Sequence, residues 1–254
     1  MPGKKIYFVT DAHLGAGEDS REREIALCNL LDQMKEDAAM VVFLGDIFDF
    51  WFSYHYVVPR GHVRILGRMA ELADAGIELH FFAGNHDMWM FDYLSNEIGA
   101  IMHDDPDVLV FDGKRFLIGH GDGLGHLDKH YDFLRSIFRS HINQRLFALL
   151  PEWMTFGIAT RWSDSNKEKH KREDLSFKGE SGEGIILYCK EHLAHDSVDY
   201  CVFGHRHTPL SMYLSGQPTD HPVQYVNVGD WFQNRTYAVF HDGTLELKII
   251  SKSN

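Results

Sequence analysis

Short apolar runs alternate with amphipathic stretches through much of the chain. Runs of aliphatic and aromatic residues without helical spacing predict buried strands at 6–10, 40–44, 77–83, 115–118 and 200–203. Stretches whose apolar residues recur every three or four positions predict helices at 22–35, 62–75 and 88–98. This order is typical of βαβ units, so the pattern predicts an α/β protein.

The chain beyond residue 120 departs from this alternation. The 84 residues between His120 and His205 read as helical and exceed what one connection needs, which predicts a helical cap inserted at about 124–195 in a single domain over 1–254. After residue 207, four strand-like runs are separated by turn residues such as Asp242-Gly243, and they predict a second sheet. The runs are 210–214, 224–228, 236–241 and 244–250.

A short polar block follows each predicted buried strand. The blocks are Asp11-Ala12-His13, Gly45-Asp46, Gly84-Asn85-His86-Asp87, Gly119-His120-Gly121-Asp122 and Gly204-His205-Arg206-His207. Ligands gather at strand ends in α/β sheets, and carboxylates and neutral imidazoles bind divalent transition metals. Asp-x-His or His-x-His alone is typical of a surface turn, and the block Gly84–Asp87 alone fits a turn or a functional site about equally. All five blocks together predict a two-metal site in which one carboxylate serves both ions.

Composition and charge narrow the class of partner. A chain of 254 residues that is 44% hydrophobic can bury one sizeable core. Its net charge of -12 argues against nucleic acid, because nucleic-acid binders ordinarily carry a basic surface. Residues 129–178 are the exception, with ten Lys or Arg against six Asp or Glu. Such a segment is ordinarily a solvated helix face, but its position between two metal-binding blocks favours a functional role.

The cysteines and the beginning of the chain indicate a cytoplasmic location. Cys28, Cys189 and Cys201 form no close-spaced pair, which suits reduced thiols. The sequence passes from Met1 almost directly into a strand-like run, so no apolar signal-peptide region is expected. No apolar stretch reaches the length of a spanning helix.

Taken together, the five blocks resemble the signature of the calcineurin-like metallophosphoesterases. The resemblance implies their four-layer αββα sandwich, an α/β fold of two sheets packed face to face with helices outside, here with the helical cap insertion. It also implies that one ion is held by Asp11, His13, Asp46 and His207. The second ion would be held by Asp46, Asn85, His120 and His205, with Asp46 as the bridge.

The same resemblance implies the chemistry. His86 would lie beside the scissile phosphate as proton donor or charge stabiliser, and Asp87 would orient its ring through a hydrogen bond. Two divalent ions lower the pKa of water and neutralise the phosphoryl oxygens. Mn²⁺ is the expected metal, with Fe, Co or Zn as alternatives that the same ligands accept.

Within this superfamily, the chain is most similar to the bacterial UDP-2,3-diacylglucosamine hydrolases. The block 45–49 followed by Trp51, the short early spacers and the helical insertion carry this resemblance. It implies hydrolysis of UDP-2,3-diacylglucosamine to UMP and 2,3-diacylglucosamine 1-phosphate in lipid A biosynthesis. The implied substrate contacts are Asn85, His86, Asp128, Arg161, Asn166, Lys167, His170 and His205.

Three positions depart from that family's pattern. His86 stands where the family typically has Arg, which exchanges a permanently charged fork for a titratable ring. Ser163 and Glu173 stand where a substrate-contacting Arg and a Lys are expected. These departures favour a competing hypothesis, a metallophosphoesterase that acts on another phosphodiester or nucleotide. A non-catalytic metal-site scaffold is a further alternative, and the presence of all seven ligands argues against it.

The predicted cap carries a broad apolar stripe with two interpretations. Its members are Tyr131, Leu134, Phe138, Ile142, Leu146, Phe147, Leu149 and Leu150, followed by Trp153, Met154, Phe156, Ile158, Trp162 and the basic stretch 167–172. Such a stripe ordinarily packs on the core. The alternative is a groove for acyl chains that rests on an anionic membrane surface, here the cytoplasmic face of the inner membrane. The pattern leaves the oligomeric state open.

Overall fold

Two β-sheets form the centre of the protein. The computed structural model describes residues 4–126, 129–157, 161, 176–216 and 221–250. The strands of the first sheet are β1 (Lys5–Val9), β2 (Ala38–Phe43), β3 (Glu78–Phe82), β4 (Ile101–His103), β10 (Thr236–His241) and β11 (Thr244–Ile249). Their order is β11-β10-β1-β2-β3-β4, in which β1 to β4 run parallel and β10 runs antiparallel to β1.

The second sheet contains the remaining five strands of the described chain. They are β5 (Asp107–Phe111), β6 (Lys114–Gly119), β7 (Tyr200–Phe203), β8 (Leu210–Tyr213) and β9 (Gln224–Asn227). Their order is β5-β6-β7-β9-β8, and β6, β7 and β9 run parallel at its centre.

Helices cover the outer faces of both sheets. Those on the first sheet are α1 (Ser20–Met34), α2 (Val63–Asp74) and α3 (Tyr93–Ile98), and α6 (Gly184–Leu193) covers the second. The predicted cap region contains α4 (Lys129–Arg139), α5 (His141–Ala148) and a helical turn over 152–157.

Alternation along the strands builds three apolar layers from one sequence pattern. In β1, Ile6 and Phe8 point into the layer between the two sheets, whereas Tyr7 and Val9 point into the layer beneath α1 and α2. A third layer joins the second sheet to α6. Full burial of each large apolar side chain contributes about 1.5–3 kcal/mol. The expected four-layer αββα sandwich is therefore confirmed.

Two details of the sequence prediction are wrong. The four runs after residue 207 do not form a sheet of their own, because β10 pairs with β1 and only β8 and β9 join the second sheet. The helix expected at 88–98 begins only at Tyr93. Residues 86–89 bond across to another segment instead, with the Trp51 N–H donating to the His86 carbonyl and the Ser53 N–H to the Trp89 carbonyl.

The cysteines lie where the sequence places them in the core. Cys28, Cys189 and Cys201 are buried free thiols. Among the described residues, no helix combines the length and apolar character needed to cross a bilayer.

Candidate active site

The polar blocks converge at one edge of the sandwich, beyond the carboxyl ends of five parallel strands. Asp11, Asp46 and Asn85 follow β1, β2 and β3, and His120 and His205 follow β6 and β7. Cross-bonds tie the turns together, such as those from Asp11 N–H to the Gly45 carbonyl and from Gly204 N–H to the His120 carbonyl. Both sheets therefore contribute to the same site.

The ligand-bearing turns are strained. Five of the predicted metal ligands have a left-handed backbone, with φ between 42° and 67°: Asp11, His13, Asp46, His205 and His207. Non-glycine residues rarely adopt this region, and it persists where surrounding contacts fix it, commonly at functional sites.

Two glycines allow the turns to approach one another. A Cβ on Gly84 would lie 2.2 Å from Asp46 Oδ1, and a Cβ on Gly204 would lie 2.1 Å from Thr10 Oγ1. Both positions therefore exclude any side chain.

Asp11, His13 and His207 form one group of ligand atoms. Asp11 Oδ1 lies 3.0 Å from His207 Nε2 and 3.7 Å from His13 Nε2. His13 Nε2 in turn lies 3.7 Å from Asp46 Oδ2, which links this group to the next. The three side chains offer atoms that all lie within 4.8 Å of one another, close enough to share an ion.

His120 forms a second group on the other side of Asp46. Its Nε2 lies 3.4 Å from Asp46 Oδ2 and 3.3 Å from Asn85 Oδ1. The ring of His205 lies beside it, with 5.1 Å between ring centroids. The same oxygen of Asp46 thus lies near an imidazole of each group.

The electrostatics of the cluster favour added positive charge. Burial opposes ionisation of Asp11 and Asp46, yet neighbouring imidazoles hold the pKa of both carboxyls below the ordinary value. Burial likewise opposes protonation of His13 and His120, but the adjacent carboxylates prevail and raise the pKa of each to about 10. Two buried carboxylates therefore stabilise cationic partners, and bound metal ions would displace those protons.

The donor set fits divalent metal ions on a second, independent ground. Asp11 Oδ1 is buried and accepts no well-aligned hydrogen bond among the described residues. Leaving a buried carboxylate oxygen unsatisfied is costly, so this oxygen is suited to a cation.

An outer hydrogen bond fixes which nitrogen of His120 faces the cluster, and outer carboxylates lie near His207 and His13. His120 Nδ1 lies 2.8 Å from the Leu44 carbonyl, which can only accept, so Nδ1 carries the proton and Nε2 points to Asp46. His207 Nδ1 lies 3.7 Å from Asp230 Oδ2, and His13 Nδ1 lies 3.6 Å from Asp49 Oδ1. This arrangement of outer oxygens is typical of metal-binding histidines.

His86 borders the cluster, with its ring 4.7 Å from that of His13 and edge-on to it. The prediction that Asp87 orients the ring of His86 through a hydrogen bond is wrong. His86 Nδ1 instead donates to the Asp49 carbonyl at 2.9 Å. The Asp87 carboxylate accepts from four backbone N–H groups, those of Gly84 and of residues 46–48, so that backbone donors occupy both of its oxygens. Burial, reinforced by the nearby charge of Asp46, raises the pKa of Asp87 to about 7.

The cap helices contact the site through its loops. Trp89 donates its indole N–H to the Phe138 carbonyl at 3.0 Å, and its ring packs on Phe147. Arg135 donates to Asp122 at 2.9 Å, two residues after His120. The stripe is thus divided, since Phe138 and Phe147 are half-buried while a second set is exposed. The exposed set is Ile142, Leu146, Leu149 and Trp153 of the stripe, together with Phe133, which the stripe did not include.

The predicted substrate contacts divide between the described and undescribed parts of the chain. Asn85, His86 and His205 lie at the cluster, and Arg161 is exposed. The other predicted substrate contacts fall outside the described residues: Asp128, Asn166, Lys167 and His170. Ile158, Trp162 and the basic stretch 167–172 also fall outside them.

Sequence reasoning assigned no specific role to several residues that support the site. Asp49 lies inside a quoted block, so its proximity to His13 and His86 could have been anticipated. Asp230 and Arg23 gave no comparable signal, because their contacts with His207 and His13 depend on how the loops pack against one another.

Comparison with known proteins assigns the family. A family profile described as calcineurin-like phosphoesterase matches residues 4–209. A UDP-2,3-diacylglucosamine hydrolase from Porphyromonas gingivalis is 38% identical over 96% of this chain and 97% of its own length. Proteins of that name from Nitrosococcus oceani and Aeromonas salmonicida are 26% and 27% identical, over 91% and 95% of this chain and 88% and 91% of their lengths. The chain belongs to the calcineurin-like phosphoesterase family.

Proposed function

We propose that this protein hydrolyses UDP-2,3-diacylglucosamine to UMP and 2,3-diacylglucosamine 1-phosphate, a step of lipid A biosynthesis, by dinuclear metal chemistry. The observation that carries the metal chemistry is the position of Asp46 Oδ2 near an imidazole of both ligand groups. The choice of substrate is supported by the relatives. Three of them are named for this activity, and each matches this chain over most of its own length.

Seven residues would hold the two ions. Asp11, His13, Asp46 and His207 would bind one, and Asp46, Asn85, His120 and His205 the other. The ions, for which we propose Mn²⁺, would activate water and neutralise charge on the phosphoryl oxygens.

The remaining chemistry belongs to His86. Its Nδ1 proton is held by the Asp49 carbonyl, so any proton exchanged with substrate must pass through Nε2. Burial lowers the pKa of His86, and the charge of Asp46 opposes that effect. Asp87 supports this reaction indirectly, because its carboxylate binds the N–H groups of both ligand-bearing turns.

The cap would receive the acylated part of the substrate. We propose that the lid lies within about 124–195 and excludes α6, whose apolar side chains pack on the second sheet. Asp128, Arg161, Asn166, Lys167 and His170 would contact the sugar and phosphates.

The exposed apolar set of the cap would meet the lipid surface. It lies close to basic side chains in sequence, Arg139 and Arg145 among them, and this combination suits the anionic cytoplasmic face of the inner membrane. Peripheral contact there would place the active site near a membrane-borne substrate.

Product analysis tests this proposal. Purified protein with Mn²⁺ is incubated with UDP-2,3-diacylglucosamine, and nucleotide products are separated by chromatography. We expect UMP, and much slower release from the matched UDP-N-acetylglucosamine, which lacks the acyl chains. If no UMP forms while an aryl phosphodiester is hydrolysed, the proposed substrate is wrong and the proposed metal chemistry stands.

A hydrolase for another phosphodiester or nucleotide is the second candidate. His86 favours it, because the lipid-specific relatives resembled here typically have Arg at that position. A panel of nucleotide and lipid phosphodiesters at equal concentration separates the two, and preference for a non-acylated substrate would support this candidate. Hydrolysis of any member of the panel excludes a purely binding role.

A further inference from the structure

Arg23 is a fully buried cation beside the metal-ligand turn. It lies in the first turn of α1, and its side chain has 0% exposure. Nε donates to the Ala12 carbonyl at 3.1 Å, and Nη2 donates to the His13 carbonyl at 3.2 Å and to the Ala16 carbonyl. The guanidinium therefore binds the backbone of the turn that carries the predicted ligands.

The cost of burying this charge points to a specific role. Among the described residues, its carboxylate partner is Asp19, whose side chain is 47% exposed. A buried guanidinium is expensive unless it is paired and fully hydrogen-bonded, and a planar fork suits several acceptors at fixed angles. The carbonyls it binds belong to a turn whose Asp11 and His13 have φ of 49° and 42°.

Phe232 connects the cation to the ligand side chain itself. The Arg23 guanidinium carbon lies 3.9 Å from the centroid of the Phe232 ring, a cation–π contact. The same ring lies 5.5 Å from the ring of His13. The backbone N–H of the neighbouring Trp231 donates to the Asp11 carbonyl at 3.1 Å. The turn is therefore held from α1 and from the segment before β10.

We propose that Arg23 is a positioning residue for metal binding. It fixes the turn that presents Asp11 and His13 in its left-handed conformation, and Phe232 holds the guanidinium in place. This inference rests on the proposed function for the presence of the ions, and it assigns Arg23 no contact with metal or substrate.

Manganese binding to the purified full chain tests the proposal without using substrate. Wild type and Arg23→Gln are titrated with Mn²⁺ and followed by electron paramagnetic resonance and metal analysis. We expect one of the two ions to bind roughly 10- to 100-fold more weakly in the variant, the range typical of lost outer-shell partners, while the other changes by less than about threefold. Equal affinities in the two proteins would overturn the proposal.

Leu27→Ala is the matched control on the same helix. Leu27 is fully buried in the apolar layer beneath α1 and makes no contribution to the ligand turn's hydrogen bonds. It should lower the unfolding midpoint while both Mn²⁺ affinities stay within about threefold. An equal loss of affinity in this control would show that general destabilisation suffices, which overturns the positioning role.

Two further variants separate geometry from charge and from folding. Arg23→Lys keeps the charge but lacks the fork, so it should share the loss, and full affinity in it would contradict the proposal. Phe232→Leu removes the aromatic ring at a half-buried position and should weaken the same ion in the same direction. If Arg23→Gln does not fold, the Mn²⁺ affinity of Phe232→Leu tests the proposal in its place. Failure of wild type to bind Mn²⁺ would contradict the proposed function instead.

Discussion

The two regions that face the proposed substrate are built on opposite principles. On the sheet side, the predicted ligands sit on strained turns, and hydrogen bonds from both sheets fix them. On the cap side, Leu149 and Trp153 are 80% and 73% exposed. The first region has its geometry imposed by the core, whereas the second has apolar surface that the described part of the chain leaves exposed.

Under the proposed function, this contrast separates the region of the reaction from the region that would recognise the substrate. Strained turns at strand ends hold reacting groups in a fixed geometry, because the packed sheet prevents the turns from relaxing. An exposed apolar helix face gains by contacting lipid, and it needs no fixed geometry to do so. Variants in the two regions should therefore fail in different ways.

The largest effect is expected from Asp46→Asn, which changes the shared carboxylate on the strained turns. Losing the shared carboxylate should remove both ions and lower kcat by at least about 1,000-fold, since the ions supply the main charge stabilisation. Metal analysis beside steady-state kinetics measures this. Asp74→Asn, an exposed change at the end of α2, is the control. Retention of two ions with normal turnover would contradict the bridging role.

An effect of about tenfold is expected when the exposed region is made polar. The double variant Leu149→Ser with Trp153→Ser removes apolar surface that would enter the lipid boundary, so binding to anionic vesicles should weaken by about tenfold. Vesicle co-sedimentation measures the partition. Val110→Ser removes another exposed apolar side chain, on β5 outside the cap, and should leave binding unchanged. Similar losses in both proteins would refute a localised membrane face.

A smaller effect is expected where the two regions join. Trp89→Phe deletes the indole N–H that bonds the Phe138 carbonyl and keeps an aromatic ring. One hydrogen bond is worth about 1 kcal/mol, so KM for the acylated substrate should rise about fivefold with little change in kcat. A fall in kcat with KM unchanged would mean that this contact serves the reacting groups instead.

The smallest effect concerns Asp199, which precedes β7 at the end of the strand opposite to His205. Burial would raise its pKa, but the Arg115 N–H and the Lys114 ammonium lower it below the ordinary value. The ionised carboxylate therefore stabilises the fold above about pH 4, and this contribution is lost as pH falls through the lowered pKa.

Urea unfolding of wild type and Asp199→Asn at two pH values measures that contribution. We expect a difference in unfolding free energy of about 1 kcal/mol at pH 7 that shrinks towards pH 3, with the same metal content in wild type and variant at each pH. A constant difference across this range would mean that the charge of Asp199 is not responsible.

The sequence predicted most of what depends on local pattern. Strand ends followed by Gly, Asp and His identified the ligand blocks, because burial, turn chemistry and metal affinity all act within a few residues there. Partners distant in the chain were not predictable in this way. The pairing of β10 with β1, the delayed start of α3 and the backbone contacts of Asp87 all depend on which segments meet. Arg23 was missed although its turn is close in sequence, because only the packed structure brings the carbonyls of that turn to the guanidinium.

The antiparallel pairing of β1 with β10 has a consequence for maturation. Ile6 pairs with Phe240, and Trp231 bonds the turn that carries Asp11, so segments from opposite ends of the described sequence must meet before that turn is held. Such non-local closure is slow compared with helix formation. A partly folded chain would then offer only scattered ligands, and tight loading with metal ions would mark molecules whose assembly is finished.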